Sequence, residues 1–184
     1  MTNKKYRVGI SSSQILVTVL FLFAFTGGAN ANEESRKLLA EAKKLMASSP
    51  TQTIMIFQEI TAATEADPKD ARAWLMHGGY ALEIFAPKEA ITSLDKARAL
   101  DPSLPNLQFL RGCALHLEGD YKGAVSAYDQ EPRKNAIPTF WFRRGLANKA
   151  ATDYDQALTD FEKSDKVYQA GRAATELHRG EIYG

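Results

Sequence analysis

Cysteine is almost missing from this chain: Cys113 is the only one in 184 residues. That excludes an intrachain disulfide, so packing alone must hold the fold. The patterns that bind metals are missing as well. There is no Cys–x–x–Cys pair and no His–Glu–x–x–His run, so a zinc site lacks its donors. The 12 glycines are scattered along the chain, which leaves no glycine-rich loop to cradle a phosphate. Cys113 has no His or acidic partner at the spacing a nucleophile needs, and it reads as a small buried hydrophobe. An excess of one charge is also missing, with 23 Lys and Arg against 22 Asp and Glu. That is no electrostatic footprint for nucleic acid. Runs of Val, Ile and Thr are scarce after residue 32 and helix formers dominate, so the chain is expected to be all-α. No enzyme, cofactor or metal is expected.

What the chain does have begins with a distinct N-terminus. Lys4, Lys5 and Arg7 make a basic start, residues 15–25 form an apolar run of 11, and Gly27, Gly28, Ala29 and Ala31 supply small residues. This is the layout of a secretory signal peptide over residues 1–31, cleaved after Ala31. A membrane-spanning helix needs about 20 apolar residues, more than this run provides. No Cys follows the run to take a lipid. Without Lys4, Lys5 and Arg7 the mature chain carries 20 basic and 22 acidic residues, a net charge of −2. It is expected to be exported with no stable membrane span. Its compartment is then the periplasm in a Gram-negative host and the extracellular space otherwise.

Residues 32–184 read as a series of amphipathic helix pairs. The first pair places Leu38, Leu39, Ala42 and Met46 on one helix face. It breaks at Pro50, and its second helix carries Ile54, Phe57, Ile60 and Ala63. Residues 71–102 are the clearest unit. Asp70 caps its first helix, which carries Trp74, Gly78 and Tyr80; Pro87 opens the second, with Ala90, Leu94 and Ala97 as its buried stripe. Gly112 and Ala124 repeat Gly78 and Ala90 after 34 residues, and Tyr128 takes the place of Leu94. Pro105, Gly112, Asp120 and Ala124 recur as Pro138, Gly145, Asp153 and Ala157 after 33. One residue is therefore missing from the third unit, most simply near Pro132. Pro105 and Pro138 are expected to open their helices, and Asp120 to cap one. Residues 173–184 carry Gly180 and Tyr183 where a fifth first helix would stand, so the chain also fits the front part of a longer repeat protein.

A 34-residue period with Trp, Gly, Tyr, Ala, Phe and Pro at these offsets resembles the tetratricopeptide repeat. The likeness is best over residues 71–102 and good over 138–168. It is moderate over 105–138, where Gln108 replaces the Trp, and weak over 33–68. It implies a right-handed superhelical solenoid of antiparallel helix pairs, about four repeats plus a terminal half-repeat. One pair cannot bury its apolar face alone, so the units must stack.

The resemblance also implies a concave groove lined by fixed positions of each first helix. Here these are Arg72, Leu75, Met76, Gly79, Leu82 and Glu83 in the second unit. The third gives Asn106, Phe109, Leu110, Cys113, His116 and Leu117, and the fourth Thr139, Phe142, Arg143, Leu146, Lys149 and Ala150. The contact set expected among them is Arg72, Leu75, Met76, Phe109, Leu110, His116, Phe142, Arg143, Leu146 and Lys149. Leu75, Phe109 and Phe142 share one position and form an expected apolar ladder, though aromatic stripes at helical spacing also serve as core. The Lys and Asn with which some relatives grip a C-terminal carboxylate are absent. His77, His116 and His178 fall at three different repeat positions and do not converge. The expected function is an exported, non-catalytic scaffold that binds a protein or peptide in its groove, in envelope assembly or a periplasmic complex. The alternative is a carrier that shields hydrophobic client segments.

Overall fold

The computed structural model describes residues 32–49, 51–137 and 139–167. The proposed leader, Pro50, Pro138 and the half-unit at 173–184 lie outside the described residues. Within them the chain forms eight α-helices and no strand, arranged as four antiparallel pairs. These are α1 (Glu33–Ser48) with α2 (Thr53–Ala66), α3 (Ala71–Glu83) with α4 (Pro87–Leu100), α5 (Leu107–Glu118) with α6 (Tyr121–Asp129), and α7 (Phe140–Ala150) with α8 (Tyr154–Val167). Each helix lies against the one before and the one after. In addition α3 touches α5 and α5 touches α7, so first helices share one face of the stack.

The second unit's glycine explains how tightly a pair closes. A Cβ on Gly78 would stand 2.6 Å from the Leu94 side chain and 3.2 Å from the Ala90 carbonyl oxygen. The same helix position holds Gly112 against the Tyr128 ring and Gly145 against the Phe161 ring. Gly112→Ala would place its Cβ 2.5 Å from a ring carbon of the fully buried Tyr128. Overpacking of that kind costs about 1–3 kcal/mol, against a gain of about 1 kcal/mol in helix propensity. Gly112→Ala is expected to destabilise the chain by about 1–2 kcal/mol in urea titrations, with the melt still cooperative.

Polar side chains join the units at equally regular places. Arg111 Nε donates to Asp95 Oδ1 of the preceding pair at 2.8 Å, and Arg144 Nη1 donates to Asp129 Oδ1 at 2.5 Å. The two bonds are equivalent, yet they span 16 and 15 residues. The missing residue therefore lies between Asp129 and Arg144, in the loop that contains Pro132. That loop is anchored by Glu131, which is buried and accepts from the Phe109 amide at 3.1 Å and the Arg133 amide at 3.0 Å. Glu131 thus caps α5 from 22 residues away.

Two expectations change here. Pro105 does not open α5: the helix starts at Leu107, after Asn106 in a left-handed conformation (φ 62°), and its first turn takes its cap from Glu131. On α2 the buried face is Ile56, Ile60 and Ala63, while Ile54 is 70% exposed. The helix is rotated so that Ile56, rather than Ile54, meets α1. Other readings hold locally. Asp70 Oδ1 accepts from the amides of Arg72 and Ala73, Asp120 caps α6 through the Gly123 amide, and Pro87 stands in the first turn of α4. Cys113 is buried.

Candidate functional site

Four of the ten residues in the expected contact set, Leu75, Met76, Phe109 and Leu110, turn out to be core. Leu75, Phe109 and Leu110 are buried in the main cluster with Leu94, Tyr128 and Phe140, and Met76 belongs to a second cluster with Leu39, Ile60 and Tyr80. The Phe109 ring lies 5.8 Å from Tyr128 and 6.2 Å from Phe140, centre to centre. Phe142 is half-buried and lies 6.0 Å from Phe161. The expected ladder of Leu75, Phe109 and Phe142 is therefore not a lining. Leu75 and Phe109 fill the space between helices, while Phe142 packs half-buried against Phe161. Arg72 and Lys149 are half-buried, and neither borders the pocket described next.

His116, Arg143 and Leu146 do come together. They line a pocket on the face shared by α3, α5 and α7, walled by Leu82, Leu117 and Phe85, with Cys113 and Tyr128 at its buried side. About 40 Å³ is open to the centre of a water molecule, room for only a few waters at the ~10–15 Å³ each requires. The space suits the end of one side chain. Leu82, Cys113 and Leu117 stand at groove positions counted from the sequence, although they fell outside the expected contact set. Phe85 and Tyr128 stand at none.

Phe85 is the unusual member. It sits at φ 58°, in the left-handed region, and is 67% exposed. Its amide donates to the Leu82 carbonyl at 3.1 Å and the next amide, Ala86, to the Ala81 carbonyl at 2.8 Å. That pair of bonds is the Schellman closure of a helix, whose left-handed residue is ordinarily glycine. The same closure ends α5 at Gly119 (φ 91°) and α7 at Thr152 (φ 66°). A Phe in that conformation carries about 1–2 kcal/mol of steric strain that Gly119 does not. The signal was present in the sequence, since Phe85 lies 34 residues before Gly119 in the repeat.

The polar groups of the face are incompletely satisfied. His116 Nδ1 and Glu83 Oε1 are buried atoms without a protein hydrogen-bond partner. Burial, helped by the Arg143 charge, holds the His116 imidazole below its ordinary pKa. Burial pushes the Glu83 carboxyl up to about 7, with Arg143 pulling the other way. Burial likewise raises the Cys113 thiol and, with Cys113 beside it, the Tyr128 phenol, whose hydroxyl donates to Cys113 Sγ at 3.4 Å. A thiol held in its neutral form is a poor nucleophile. Among the described residues no three His, Cys, Asp or Glu side chains converge as a metal would require.

Glu83 makes a measurable prediction. The folded carboxyl keeps its proton to about pH 7, against an ordinary value of 4.5. The native state therefore binds more protons in that window, and its stability falls as pH rises through it. Glu83→Gln is expected to match the parent near pH 5 and exceed it by about 1 kcal/mol at pH 8, solvent screening of a half-exposed group included. Paired urea titrations at the two pH values check this.

The stack matches solved structures. A crystal structure of MamA superposes with a TM-score of 0.66 at 20% identity, over 77% of this chain and 82% of its own. MamA from Desulfovibrio magneticus RS-1 gives 0.70 at 13% identity, over 83% and 85%. PilF of Pseudomonas aeruginosa gives 0.66 at 19% identity, over 82% and 68%. All are tetratricopeptide-repeat proteins. The fold is that of the tetratricopeptide repeat. It is the right-handed solenoid of antiparallel pairs that the family resemblance implied, and no catalytic family is indicated. No family model and no curated protein matches the chain by sequence. The pocket lies where the successive first helices α3, α5 and α7 adjoin. Among the described residues no helix is long and apolar enough to cross a membrane.

Proposed function

We propose that this protein is an exported, non-catalytic scaffold that binds a protein segment on the concave face, around the pocket between α3, α5 and α7. Phe85 carries the reading. A large apolar side chain is kept exposed, in a strained backbone position, at the rim of a pocket lined by His116, whose Nδ1 has no protein hydrogen-bond partner. Strain of this sort persists where the surrounding structure fixes it, and it concentrates at binding sites. A partner's apolar side chain would cover Phe85 and Leu117 and enter between Leu82 and Leu146, while its backbone or polar groups reach His116 Nδ1 and Glu83. The small volume fits an anchor residue of a longer segment better than a free small molecule. The setting follows from the leader-like residues 1–31 and is the cell envelope, periplasmic where the host has two membranes.

Phe85→Gly separates binding from folding. It removes the aromatic and relieves the strain, so stability is expected to hold or rise by up to about 1 kcal/mol. Crosslinking capture from envelope extracts by the parent chain is expected to yield a discrete partner that Phe85→Gly loses. Capture unchanged by Phe85→Gly, or recovery of many unrelated unfolded proteins, would overturn this assignment of the site; the second result would favour the carrier reading.

A further inference from the structure

Asn32 is the first described residue, and each of its polar atoms is engaged. Its side-chain Oδ1 accepts from the Ser35 amide at 2.8 Å, and its carbonyl accepts from the Arg36 amide at 3.2 Å, closing the first turn of α1. Its Nδ2 donates to the Ala66 carbonyl at 2.6 Å, at the end of α2. Its backbone nitrogen donates to Asp67 Oδ2 at 2.8 Å. Asp67 is itself held in place, since its other oxygen accepts from the Lys69 amide at 3.0 Å. A carboxylate 35 residues away is thus fixed against one backbone nitrogen. That nitrogen follows Ala31, the last small residue of the leader-like segment.

We infer that Asn32 becomes the N-terminal residue of the mature protein, and that Asp67 is the receptor for the α-ammonium group that cleavage creates. Hydrolysis of the Ala31–Asn32 peptide bond by one water leaves a carboxylate on Ala31 and an amine on Asn32. The amine takes up a proton at neutral pH, since α-amino groups titrate at about 8. The hydrogen bond to Asp67 then becomes an ion pair, and charge-assisted bonds of this kind are roughly twice as strong as neutral ones. A positive charge is ordinarily unfavourable at a helix N-terminus. Here Glu33 and Glu34 in the first turn, together with Asp67, offset it. Processing would therefore lock the first helix pair at the edge of the described array, where α1 has a neighbour on only one side among the described residues. Asn32 and Ser35 share the task, because the Ser35 hydroxyl donates at 2.8 Å to Asp70, the cap of α3.

The inference rests on export, and the test separates the two. The full chain is expressed in a bacterium that exports it, and the product is examined by intact mass and N-terminal sequencing. A product starting at Asn32 is expected. Cleavage at another bond would leave export standing and overturn the pairing, whereas retention of residues 1–31 would overturn both. The second arm compares Asp67→Asn in the processed chain with Asp67→Asn in a chain kept uncleaved by Ala29→Lys and Ala31→Lys, both in the same detergent. The melting midpoint is expected to fall by about 2–4 °C in the processed chain and by about half that in the uncleaved one. Equal losses in the two would overturn the pairing.

Discussion

Phe109→Ser is expected to abolish the cooperative fold or bring it close to collapse, whereas Phe142→Ser leaves a folded protein. Phe109 is 1% exposed, and its ring is enclosed by Tyr128 and Phe140 at the centre of the main cluster. Truncating a buried Phe costs about 3–5 kcal/mol, and an unpartnered hydroxyl in the cavity adds to that. Whole domains are stable by only about 5–15 kcal/mol. In a stacked array the central position matters further. Loosening α5 weakens its interfaces with both neighbouring pairs, because stability is a sum of unit and nearest-neighbour terms. Phe142 is half-buried and faces Phe161 near one end of the described array, so its loss is expected to cost about 1–2 kcal/mol. Circular dichroism melts of the two variants decide the matter. Two equally folded variants would mean that Phe109 faces a groove after all.

The contrast shows what the repeat period reveals and what it hides. A 34-residue interval and a glycine at one helix position are enough to derive the helix pairs, their order and the place where a residue is missing. Gly78, Gly112 and Gly145 mark close approach because nothing larger fits against Leu94, Tyr128 and Phe161. Periodicity assigns a residue to a face of its own helix, but it does not say how deeply that face is covered. Counting along the repeat assigns both Phe109 and Cys113 to the lining. Phe109 fills the core, and Cys113 borders the pocket while staying buried. Contacts made from outside the repeat pattern were illegible for a different reason. Glu131 lies in the irregular loop, and nothing in its neighbourhood announces that its carboxylate caps a helix 22 residues earlier. Phe85 was legible in principle, since the position is glycine in the next unit. Its meaning depended on the left-handed backbone, which spacing alone does not display.

The second large effect belongs to Arg144. Its guanidinium holds Asp160 bidentately, Nε to Oδ2 at 2.8 Å and Nη2 to Oδ1 at 2.7 Å, and Nη1 reaches Asp129 in the preceding pair. Asp160 is 0% exposed, and besides Arg144 it accepts from Asn148 Nδ2 at 2.9 Å. Arg144→Met keeps most of the side-chain volume and removes the charge. A buried carboxylate is then left with one neutral donor, and breaking one partner of such a pair costs about 3–5 kcal/mol. Arg111→Met is the internal control. Arg111 pairs with Asp95, which is partly exposed and can turn to water, so that loss is expected at or below about 1 kcal/mol. The discriminating experiment is a double-mutant cycle with Asp160→Leu. If the cost of Arg144→Met is mainly the stranded charge, Arg144→Met with Asp160→Leu recovers most of the stability, since two apolar side chains can replace a buried ion pair at little cost. Hydrogen exchange adds position to the magnitude. Asp160 and Asn148 lie within the pair α7/α8, so Arg144→Met is expected to release protection there while α3 and α4 keep theirs. Protection lost evenly along the array would mean that Arg144 acts through its bond to Asp129, as a joint between units and not as a clasp within one.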